Sequence, residues 1–239
     1  RKPPPAALLS IGEFCRYYGV DLPHARFVVT QGLLLFDALK RVHKLPKKSR
    51  GLLRSAAMLA TVGATSDPAH PNQAGRDLIL ARPLRGVSTA ERLTLACIVA
   101  FSAGKVRADR EPTLAALDDK MRGQVMALAA LVRLAEALDF SWTQTSEIAA
   151  CEDADRDTCV IVVAGPSAAL DAAQAQSQSD LWYQTFKQEL VFAVSQPASE
   201  ADLTQEKDDM SKHSRKGPKR VTPATARVAT SAAPPAPAA

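Results

Sequence analysis

Aromatic residues are scarce here, at 5% of 239 positions. Few of them accompany the positive charges, so base stacking on single-stranded nucleic acid is a weaker option than contact with phosphates alone. Only 11 glycines occur, and they are scattered. No strand leads through a glycine-rich phosphate loop into a helix, which excludes the usual nucleotide cradle. Cys15, Cys97, Cys151 and Cys159 are widely spaced, with no Cys-x-x-Cys pair. That spacing suits neither a zinc site nor a disulfide scaffold, and reduced thiols in a cytoplasmic protein are the expectation. No apolar run approaches the roughly 20 residues that cross a bilayer, and the start RKPPPAALL is too short in apolar residues for a secretory signal. No membrane partner is expected. The first residue is Arg and not Met, as in a piece of a longer chain.

Apolar residues are not scarce: they make up 46% of the chain, enough for a real core. The net charge is +5 and the pI near 9.1, which suits an anionic partner only if the cations converge on one face. Residues 1–10, with Pro3, Pro4 and Pro5, predict an extended entry segment. A short helix follows from Ile11 to Tyr18, stopped by Gly19. From His24 to His43, Val28, Leu35, Leu39 and Val42 recur at helical spacing.

The run KRVHKLPKKSRGLLR, Lys40 to Arg54, carries many cations and no acid, and Pro46 and Gly51 break it. It predicts an exposed basic loop. A helix from Leu52 to Ala60 comes next, with Gly63 in a left-handed closing position. A loop from Ala64 to Gln73 holds His70, and a short helix spans about Gly75 to Leu80.

Ser88 and Glu91 form a capping box that starts another helix, with Leu93, Ala96, Cys97 and Ala100 facing inward and Cys97 as inert core. A polar loop from Gly104 to Glu111 follows. Met121, Val125, Leu128, Val132, Ala135 and Leu138 mark the longest amphipathic helix.

After Ser141 an acidic approach, Glu152 to Asp157, leads into the β-branched strand Thr158–Val163, which ends at Gly165-Pro166. Two helical segments and a second strand, Leu190 to Val194, complete a strand, helix, helix, strand module. From Pro197 the composition turns to Ser, Lys, Pro, Thr and Ala around Lys212, Arg215, Lys216, Lys219 and Arg220. That tail is expected to be disordered.

The blocks YGVDLPHARFVVTQGLLLFDAL, LLRSAAMLATVG, HPNQAGRDLI, LRGVSTAERLTLACIVAF and ALAALVRLAEALDFS resemble, in order and spacing, the C-terminal helical domain of the exopolyphosphatase and guanosine pentaphosphate phosphatase (Ppx/GppA) family. The resemblance covers Phe14 to Ser141, and the module to about Val194 is similar to the end of that family. It implies a mainly α fold: an HD-like helical domain over 11–145, a small α+β module over 146–196 and a tail over 197–239. In that family hydrolysis belongs to a pair of upstream actin-like domains, absent from this sequence.

The helical domain is similar to the His-Asp phosphohydrolase fold, where metal is held by a His on an early helix, a His-Asp pair on the next and a later Asp. His24 matches the first position. Ala60 and Thr61 stand at the pair, and Glu136 or Asp139 at the late carboxylate. A methyl group cannot ligate, and one His with one carboxylate leaves too few ligands for a tightly held ion. The resemblance therefore implies a relic site, with no catalytic residue, no metal and no cofactor.

Three functions follow as expectations. The first is a non-catalytic binding or regulatory domain holding polyphosphate or a phosphorylated nucleotide through Lys44, Lys47, Lys48, Arg50 and Arg54, or forming a homodimer through its helices. The second is the C-terminal part of a complete exopolyphosphatase or pppGpp phosphohydrolase with its catalytic domains upstream. The third, a surviving metal phosphohydrolase, requires tightly bound metal.

Overall fold

The computed structural model describes residues 8–104, 108–153, 155 and 157–195. Residues 1–7 of the proline-rich entry segment and the basic tail with Lys212 to Arg220 lie outside them. Among the described residues the order is α1 (Ile11–Tyr17), α2 (Leu22–Ala38), α3 (Lys40–His43), α4 (Ser49–Leu59), α5 (Pro71–Ala81), α6 (Thr89–Phe101), a 3-10 turn (Ala108–Arg110), α7 (Pro112–Ala115), α8 (Asp119–Ala137), β1 (Glu147–Asp153), β2 (Thr158–Ala164), α9 (Ala168–Ser177), α10 (Asp180–Phe186) and β3 (Glu189–Val194). The protein is mainly α with a small α+β module at its end.

Local chemistry explains where several helices begin. The Ser88 side chain accepts from the Glu91 N–H while the Glu91 carboxylate accepts from the Ser88 N–H, so the expected box at α6 is present. Ser10 and Glu13 make a second box at α1. Asp21 and Asp118 cap α2 and α8 by accepting from His24 and Met121. Pro71 takes the first position of α5, where its missing N–H costs nothing, so α5 starts four residues before the expected Gly75.

Three expectations are corrected. The helix foreseen from His24 to His43 breaks at Leu39 (φ −88°, ψ 14°), which turns both Leu39 and His43 inward. The basic run is less loop than predicted, because its two ends lie in α3 and α4, and only residues 44–48 connect them. Gly63 does not take a left-handed conformation. It is required because a Cβ there would overlap the carbonyl oxygen of Pro71 and the nitrogen of Gly75, where the turn after α4 crosses the start of α5.

Helix α8 is the hub. It packs against α2, α4 and α6 on one side and α9 and α10 on the other. Residues 127–135 are therefore buried without a break, a pattern wider than one amphipathic stripe. One apolar core runs from Phe14 and Leu35 through Leu128 and Leu131 to Ile161 and Trp182.

The module holds a third strand that the sequence did not announce. The sheet order is β1-β2-β3, with β1 antiparallel and β3 parallel to β2. The crossover from β2 to β3 runs through α9 and α10, as parallel pairing demands. β1 is an edge strand of sequence EIAACED, with a bulge between Ile148 and Ala150. The acidic approach to β2 is thus partly strand itself.

Candidate functional site

The start of α2 meets the end of α8, and their meeting places His24 against Asp139 and Glu136. Asp21 accepts from the His24 backbone N–H, which sets the first turn of α2 and frees the imidazole to point across to α8. The ring nitrogen Nδ1 lies 2.7 Å from Asp139 Oδ2, and Nε2 lies 3.2 Å from Glu136 Oε2. Trp142 stacks on the ring at 4.1 Å between centroids and 19° between planes. With a carboxylate at each nitrogen, both nitrogens donate and the ring is an imidazolium. Burial by itself pushes the imidazole down, but hydrogen bonds and charges from Glu136 and Asp139 outweigh it and hold the pKa up at about 9.

Asp139 is buried and fully engaged. Besides His24 it accepts from the backbone N–H of Gln144 at 2.8 Å and from Gln144 Nε2 at 2.6 Å. Gln144 reaches it from a left-handed backbone, φ 52°, and Trp142 also sits at φ 56°. The loop after α8 is thus bent to close over His24.

Of the five positions that the resemblance singled out, the structure brings together three: His24, Glu136 and Asp139. Ala60 is buried at the end of α4, and Thr61 is half-buried in the turn that follows. As arranged, each ring nitrogen of His24 faces a carboxylate. What the cluster does is hold a charge and pin α2 to α8.

A cavity of about 250 Å³ opens beside it, lined by His24, Arg133, Glu136, Trp142 and Gln178 among others. Arg133 was not singled out from the sequence. It is 5% exposed, and its Nη2 donates to Gln178 Oε1 at 3.0 Å and Asp180 Oδ1 at 2.9 Å. Among the described residues its Nε and Nη1, like Glu136 Oε1, have no hydrogen-bond partner. The only signal in the sequence was a charged residue inside the apolar repeat of α8, three positions before Glu136.

The basic connection is positioned more firmly than a solvated loop. His43 is buried, donates through Nε2 to the Phe36 carbonyl at 2.7 Å and accepts at Nδ1 from the Leu45 N–H at 2.9 Å. Burial pushes this imidazole down, so it stays neutral and clamps both sides of the turn. Ser49 is buried at the other end and accepts from Gln124 of α8 at 3.1 Å.

Lys44, Lys47, Lys48 and Arg54 are exposed between and beyond these anchors, with no acidic partner among the described residues. Arg50 differs from them. Its guanidinium meets Asp37 in a two-pronged bond, Nε to Oδ1 at 3.1 Å and Nη2 to Oδ2 at 2.8 Å, and holds the Asp37 carboxyl below its ordinary range. An acid therefore does neighbour the run, supplied from α2. His70 is exposed, with Nδ1 3.4 Å from Asp67.

Among the described residues no helix is long and apolar enough to cross a membrane. No curated protein matches the chain. The family model described as Ppx/GppA phosphatase, domain III, matches residues 8–193, most of the chain, which belongs to that family.

Proposed function

We propose that this domain is a binding or regulatory unit without chemistry of its own, and that it holds polyphosphate or a phosphorylated nucleotide on the connection between α3 and α4. The observation that carries this is a set of cations without acidic partners among the described residues, Lys44, Lys47 and Lys48 on a connection anchored at both ends by His43 and Ser49, with Arg54 beyond it in α4. Lys47, Lys48 and Arg50 also stand at the N-terminal end of α4, which has no acid in its first turn. Cations at that end oppose the helix dipole, and a phosphate chain there would satisfy both. Anchoring lowers the entropy lost when the lysines meet a ligand. The engagement of His24 by two carboxylates supports the absence of catalysis, because an imidazolium with both protons committed is neither a metal ligand nor a base at neutral pH. In this reading the cluster is an HD-like relic turned to structural use.

The test is binding of inorganic polyphosphate across a salt series. The intact domain should bind less tightly as salt rises. Changing Lys44, Lys47, Lys48 and Arg54 together to Gln should weaken binding and flatten the dependence by roughly 0.7 in log–log slope for each phosphate-binding cation removed. Arg50→Gln should do less, since its charge is already met by Asp37. An unchanged affinity in the fourfold variant would remove the connection from the function.

A further inference from the structure

We infer that Cys151 and Cys159 form a dithiol pair that closes to a disulfide by exchange with a low-molecular-weight disulfide such as oxidised glutathione. Their spacing of eight residues gives no motif, and it is the β1–β2 pairing that joins them. Asp153 lies opposite Cys159 and Cys151 opposite Ile161, so the two cysteines are diagonal neighbours on one face of the hairpin. Their sulfurs are 3.1 Å apart, about one ångström beyond a bonded pair. Closure asks for a side-chain adjustment, with β1 and β2 already in place.

The two thiols are also unlike each other and unlike the remaining two. Cys151 is half-buried on an edge strand, where a small reagent reaches it, while Cys159 is buried beneath it. The hydrogen bond from Cys159 lowers the Cys151 thiol, although burial and the nearby Asp153 and Glu152 oppose that. The same bond, with burial, pushes the Cys159 thiol up. Cys151 is thus the attacking sulfur and Cys159 the resolving one. Cys15 and Cys97 are wholly buried, donate to the Met58 carbonyl and Thr113 Oγ1, and are pushed by burial up to about 11. They are not expected to react.

The exchange runs in two displacements. The Cys151 thiolate attacks one sulfur of the small disulfide, whose S–S bond breaks, and the departing thiolate takes up the proton that Cys151 released. Cys159 then attacks the Cys151 sulfur of the mixed disulfide and loses its own proton, and the second small thiolate leaves with it. Two protein thiols and one small disulfide become one protein disulfide and two small thiols. Closure pins β1 to β2, and with them Asp153, whose carboxylate lies 3.4 Å from Arg41 of α3.

The experiment treats the folded chain with excess oxidised glutathione, quenches it with acid, and maps peptides without reduction. The wild type should lose two of its four thiols, become lighter by two hydrogen atoms and yield a linked Cys151–Cys159 peptide. Cys159→Ser should stop at a glutathione adduct on Cys151, and Cys151→Ser should stay unmodified. Four free thiols in the treated wild type, or a persistent adduct without the linked peptide, would overturn the inference. Phosphate binding plays no part in this readout, so it stands apart from the proposed function.

Discussion

His24 is a buried ring held between two carboxylates, Glu136 and Asp139. Its folded pKa of about 9 stands above the ordinary 6.5 because Glu136 and Asp139 hold the charged ring against the cost of burial. A raised folded value means the stabilisation is fully present below pH 6.5 and is lost as the pH climbs through about 9. Within that window this group should lower stability by about 1.4 kcal/mol per pH unit. Urea midpoints measured between these limits should therefore fall in the wild type and fall less in His24→Gln. Parallel curves for the two proteins would show that His24 does not carry the dependence. His24, Glu136 and Asp139 were singled out in the sequence only through the family resemblance, and the structure places them in contact. Arg133 was not, since a lone arginine in an alanine- and leucine-rich repeat reads as an exposed position until α9 and α10 cover that side.

Among the elements, the rules that act over three or four residues were the ones visible in the sequence. The Ser88 and Glu91 box was foreseen and is present, and Ser88→Ala should cost about 1 kcal/mol through loss of one capped N–H. Gly63 shows the opposite case. Its neighbours in sequence suggested a helix end, but its requirement comes from Pro71 and Gly75, brought close by the fold. Gly63→Ala puts a methyl into backbone atoms that no rotamer can move, so the loss should be about 3 kcal/mol or more. Thermal melting separates the two, with Gly51→Ala, where a Cβ meets nothing within 4 Å, as the control that should be neutral or stabilising. β1 escaped notice for a related reason. EIAACED has one β-branched residue, and its pairing with β2 is a long-range choice that neither propensity nor alternation announces.

At the scale of the whole molecule, the question is whether the helices need the module that follows them. The core passes from α8 into α9, α10 and β2 without a gap, and Leu181 and Trp182 are wholly buried within it. Two polar ties cross the same junction. Asp171 of α9 accepts from the Ser141 N–H and hydroxyl and from Ser146, and Arg133 of α8 donates to Gln178 and Asp180. A chain ending at Ser141 would expose the far side of α8 and leave Arg133 without either partner. Each large apolar side chain exposed costs about 1.5–3 kcal/mol, against a total stability of about 5–15 kcal/mol for a domain. Two or three such exposures consume most of that margin. The truncated chain should therefore retain helical circular dichroism but lose cooperative melting and bind a hydrophobic dye. A sharp melt near that of the full chain would show instead that the helices are a domain of their own and that the module only rests on them.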